Sequence, residues 1–78
     1  MKKIPDTFII EMSDRKSADS LEKSIKKEMR KNRFKVDSIS AFSGFENNHW
    51  VRILGMDKKI VDAVRNFKSL QNLKIKEV

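Results

Sequence analysis

Two groups of residues in this 78-residue chain have types and spacing that could do chemistry. The first is a run of cations: Lys23, Lys26, Lys27, Arg30, Lys31, Arg33 and Lys35. Only Glu22 and Glu28 oppose these seven over the same stretch, so it carries +5 of the formal net charge of +7. Such a density of positive charge suits a polyanion, nucleic acid first among them. It suits equally well a solvated helix face. No aromatic residue interleaves with it, which argues against base stacking at this patch. The second group is Trp50 with Arg52 two residues on, joined by Lys74 and Lys76 near the end of the chain. An aromatic plane with flanking cations can stack a base, or anchor a protein interface, where Trp and Arg are favoured.

Enzyme signatures are missing from the same inventory. Gly44 and Gly55 are the only glycines, and they form no phosphate loop. Ser43-Gly44 is not a nucleophile elbow. His49 is the only histidine and cysteine is absent, which argues against a metal centre, a thiolate zinc site and a disulfide framework. A lone histidine at a strand end is more often a surface or packing residue than a catalyst. No cofactor is expected. The start Met1-Lys2-Lys3 has the charge of a signal peptide, but Pro5, Asp6 and Glu11 interrupt any apolar region behind it. A single cytoplasmic domain covering residues 1–78, with no membrane partner, is the expectation.

The elements that must position these groups follow from hydrophobic period. Thr7–Met12 alternates as a strand, with Phe8, Ile10 and Met12 on one face. Ser17 is a plausible N-cap, after a polar connection over 13–16. Ala18, Leu21, Ile25 and Met29 then recur at helical spacing, and the helix runs to Asn32. Within it, Asp19–Lys23 and Glu22–Lys26 have the stabilising i,i+4 order. Phe34–Ala41 reads as a second strand, with a bulge near Asp37–Ser38 to bring Ile39 and Ala41 inward. Residues 43–48 form a turn, and His49–Leu54 is a third strand. Asp57 caps a second helix whose apolar stripe is Ile60, Val61, Val64, Phe67 and Leu70. After a turn at Gln71-Asn72, Leu73 and Ile75 begin a last strand.

This order predicts an α+β fold: a ferredoxin-like βαββαβ sandwich with two helices on one face of a four-stranded antiparallel sheet. Strands one and three are central. The expected core is Phe8, Ile10, Met12, Leu21, Ile25, Met29, Phe34, Val36, Val51, Ile53, Ile60, Val64, Phe67, Leu70, Leu73 and Ile75. If Val51 and Ile53 face the helices, Trp50, Arg52 and Leu54 face the other way. Ile9, Glu11, Lys35, Lys74 and Lys76 share that open face. RNA-recognition domains use the same fold and stack bases on aromatics of the central strands. Here the third strand reads His49-Trp50-Val51-Arg52-Ile53-Leu54-Gly55, with one aromatic, and strand one offers Ile9.

Over residues 5–78 the chain resembles the YbeD-like group of small bacterial proteins. The resemblance rests on Pro5-x-x-Phe8, on Ser43-Gly44 followed by His49-Trp50-Val51-Arg52-Ile53, and on Leu70 with the closing Leu73-x-Ile75-x-x-Val78. It implies an ACT-like variant of the ferredoxin-like fold, a regulatory or interaction role, and no catalytic residues. ACT domains bind amino acids at a Gly-bearing turn after strand one, where this chain has Met12-Ser13-Asp14.

The function expected from the sequence is a non-enzymatic binding or interaction module. A chain this small buries a limited share of its surface, which favours self-association. Ile9, Trp50 and Leu54 would form the centre of a homodimer interface. One alternative is nucleic-acid binding through the basic helix and the Trp50/Arg52 face. A second is an ACT-like small-ligand regulatory domain.

Overall fold

The structure, a computed structural model, describes residues 6–78. Expectations that fall on Met1-Lys2-Lys3 and Pro5 lie outside the described residues. Four strands and two helices follow in the order β1 (Phe8–Met12), α1 (Arg15–Asn32), β2 (Ser38–Ser43), β3 (His49–Leu54), α2 (Lys58–Val64) and β4 (Ile75–Glu77). The sheet order is β2-β3-β1-β4, every pair antiparallel. This is the ferredoxin-like α+β sandwich, with β1 and β3 in the centre.

Burial follows the alternation. Phe8, Ile10, Val51 and Ile53 are fully buried against the helices. Ala18, Leu21, Ile25 and Met29 form the buried stripe of α1. Ile60, Val61 and Val64 come from α2, and Met56 joins them at 4% exposure although it follows the strand. Met12, Phe34, Val36, Leu73 and Ile75 pack against this core while staying partly exposed.

Several boundaries differ from the sequence expectation. Asp14, not Ser17, caps α1: its carboxylate accepts from the Ser17 amide at 2.6 Å. The helix therefore takes in Arg15 and Lys16. Asp19 then pairs with Arg15 at 3.1 Å and not with Lys23, whereas Glu22–Lys26 forms as expected at 3.1 Å.

The C-terminus of α1 is a Schellman turn. Arg33 adopts φ 59°, the Arg33 amide donates to Arg30, and the Phe34 amide donates to Met29 at 2.9 Å. This turn tucks Phe34 under the helix end. Phe34, Lys35 and Val36 are thus in a connection and not in β2, which begins at Ser38. The offset between Val36 and Ile39 sits where the bulge was expected. Ser38 is paired with Leu54, and the Asp37 amide also reaches the Leu54 carbonyl at 2.8 Å.

α2 ends at Val64, and a 3-10 turn over Lys68–Leu70 carries Leu70 back into the core. Phe67, at the mouth of that turn, is 6% exposed. At the opposite edge Thr7 and Val78 exchange backbone hydrogen bonds of 3.3 and 2.8 Å. Among the described residues no helix is long and apolar enough to cross a membrane.

Candidate binding face of the sheet

The register places the open face residue by residue. Phe42 on β2 pairs with Trp50 on β3, which pairs with Glu11 on β1. One row further on, Ser40 pairs with Arg52, Arg52 with Ile9, and Ile9 with Lys76. In the third row Ser38 pairs with Leu54. A strand alternates its side chains between faces, so these positions lie opposite the helix layer.

Phe42 was missed by a strand that stopped at Ala41, yet it is what organises this face. Its ring centroid is 5.1 Å from that of Trp50, tilted by 34°. The Arg52 guanidinium carbon sits over the same Phe42 ring, 5.1 Å from its centroid, within cation–π range. Trp50, Phe42, Arg52, Ile9 and Leu54 are all half-buried, and none is bare. The chain covers part of Trp50 itself. Its six-membered ring lies so close to Gly44 that a Cβ there would stand 2.6 Å from Cζ3. The exposed apolar patch expected around Trp50 is correspondingly smaller. One residue past Gly44, Phe45 is 91% exposed.

The charges of this face are three cations against one carboxylate. Lys74 precedes β4 but lines the same shallow hollow as Ile9, Glu11, Trp50 and Lys76. Among the described residues Arg52 makes no ion pair, and its Nε is buried without a hydrogen-bond partner.

The structure does not bring the helix cations to this face. Lys23, Lys26, Lys27, Arg30 and Lys31 are exposed on α1, on the side of the helix away from its buried stripe. Arg33 is in the turn that ends α1, and Lys35 is in the connection rather than on strand two. The sheet lies between this basic layer and Trp50.

His49 lies at the end of β3. Its Nδ1 is 2.8 Å from the Ser43 hydroxyl, which also accepts from Arg15 at 3.2 Å. This chain of polar groups ties the first turn of α1 to the end of the β2–β3 hairpin. Among the described residues no group of three or more His, Asp and Glu side chains is placed to hold a metal ion.

No family model matches the chain, and no curated protein or solved structure is significantly similar to it.

Proposed function

We propose that this chain is a non-enzymatic binding module whose working surface is the open sheet face, and that its ligand is a single-stranded nucleic acid. The observation that carries the reading is the Phe42–Trp50 pair with Arg52 over Phe42. Aromatic planes on a sheet face offer stacking to any base, worth ~1–3 kcal/mol per base. Arg52, Lys74 and Lys76 supply cations for the backbone. The basic layer of α1 adds long-range attraction for a polyanion without touching it.

Self-association through Ile9, Trp50 and Leu54 is the competing reading. Two arguments weigh against it. Phe42 and the hairpin already cover part of Trp50, and two-fold pairing of this face would set its excess of cations against the same excess. An ACT-like ligand site has no comparable support, and the YbeD-like assignment rests on sequence motifs alone.

Fluorescence anisotropy of labelled single-stranded DNA and RNA homopolymers at low salt tests the reading. Binding should quench Trp50, weaken with salt, and fall by roughly 5–150-fold in Trp50→Ala, the equivalent of the stacking energy. No binding at low salt, or binding indifferent to Trp50→Ala, would overturn it. Sedimentation runs alongside. A dimer that Trp50→Glu dissociates into folded monomers would favour self-association instead.

A further inference from the structure

The two edges of the sheet are not equally guarded. β4 spans three residues, Ile75–Glu77, with Lys74 before it and Lys76 inside it. Short, charged edges discourage the addition of another strand. β2 spans six residues, Ser38–Ser43. Its Ala41 amide points away from the sheet, because it donates to the Glu22 carboxylate of α1 at 2.7 Å. Alternation turns the main-chain groups of Ile39 and Ser43 the same way. This edge therefore already holds one carboxylate, supplied by the chain's own helix.

Beside the edge, between α1 and the connection into β2, runs a shallow, open groove of about 460 Å³. Phe34, Val36 and Ile39 form its apolar floor, all half-buried, and Lys26, Arg30 and Lys35 form its rim. No carboxylate lines it. Lys26 is paired with Glu22, but among the described residues Arg30 and Lys35 make no ion pair.

We propose that this groove and the β2 edge bind an extended acidic peptide, which adds a strand to the sheet. Its main chain bonds the outward groups of Ile39 and Ala41. Its apolar side chains on the helix side fill the floor, and carboxylates at the outer positions of that same side meet Arg30 and Lys35. Strand addition draws affinity from main-chain hydrogen bonds and specificity from pockets for alternate side chains, and both halves are present here. A nucleic acid would match the charge but could supply neither. Glu22 can release the Ala41 amide without losing its cation, because its other oxygen is bonded to Lys26.

The test uses a fluorescein-labelled peptide with valines at the central and glutamates at the outer positions of one strand face and threonines at the alternate positions, and the intact chain labelled for amide NMR. Saturable binding is expected, with shifts centred on 34–43 and Arg30, and a loss of roughly tenfold or more in Arg30→Glu. Two further peptides carry N-methyl groups on alternate residues, one set on each edge of the strand. Methylation of the pairing edge should abolish binding, and methylation of the other edge should leave it intact. Equal binding of both methylated peptides would reduce the effect to charge and overturn the proposal. So would the absence of saturable binding, or shifts confined to the Trp50 face.

Discussion

Gly44 leaves the space that the Trp50 ring fills: a Cβ on Gly44 would meet Trp50 Cζ3 at 2.6 Å and Cη2 at 2.7 Å. The Gly44 backbone itself, at φ −114°, is open to any residue. The glycine therefore serves the tryptophan and not the turn. Gly44→Ala should leave the fold intact and push the indole off the hairpin, seen as a red-shifted, more quenchable Trp50 emission. An unchanged spectrum would show that the ring is not seated there.

Gly55 has the opposite reason to be glycine. It sits at φ +78°, and a Cβ there would collide with the Asp37 side chain at the bulge. Both the conformation and the space exclude a side chain. Gly55→Ala should cost ~1–3 kcal/mol, read as a lower urea midpoint. The double variant Gly55→Ala with Asp37→Gly relieves the collision and should recover part of that loss.

Phe67→Ala should cost ~3–5 kcal/mol, the usual price of deleting a buried aromatic ring. Phe67 is 6% exposed although it lies outside regular helix. Chemical denaturation measures the loss directly. A change no larger than that of an exposed site would mean the turn after α2 collapses to fill the space.

Acid should unfold the chain partly through Asp14 and Glu77. The backbone hydrogen bond from Ser17, then its hydroxyl, holds the Asp14 carboxyl below its ordinary value of 3.8. The hydrogen bond from Arg65 lowers Glu77 in the same way. A carboxyl lowered in the folded state contributes stability above its unfolded value, lost as pH falls through the folded one. The window thus opens near the ordinary carboxylate range and extends below it. Asp14→Asn keeps a good N-cap but cannot titrate. Its stability should fall less steeply across that window than the wild type's, and equal slopes would contradict the assignment.

Period two and period 3.6 were enough to place the sheet order, the bounds of β3 and the stripe of α1, because those residues are buried on one face only. Local competition decided the rest. Asp14 and Ser17 are both good caps, and nothing in their types says which one the helix chooses. Phe34 and Val36 alternate like a strand, but the Schellman turn at Arg33, made without glycine, takes them into a connection. That same shift hid Phe42, since a strand drawn from Phe34 ended one residue before it. The aromatic pair was therefore out of reach of a pattern that saw only Trp50. Phe67 and Leu70 keep helical spacing beyond Val64, where a 3-10 turn delivers them to the same core.

The hydrogen bonds between Thr7 and Val78 make the first and last described strands neighbours. In folding, this pairing closes the longest loop in the molecule, and such distant contacts slow the search for the native state. Joining Val78 to Asp6 through a short linker and reopening the chain in the 44–48 turn would turn it into a hairpin. The permuted chain should reach the same sheet more slowly, because the cut turns β2–β3, which pairs at six positions against three for β1–β4, into the most distant pairing. The same cut opens the hairpin that seats Trp50, so folding speed and the binding face depend on one connection.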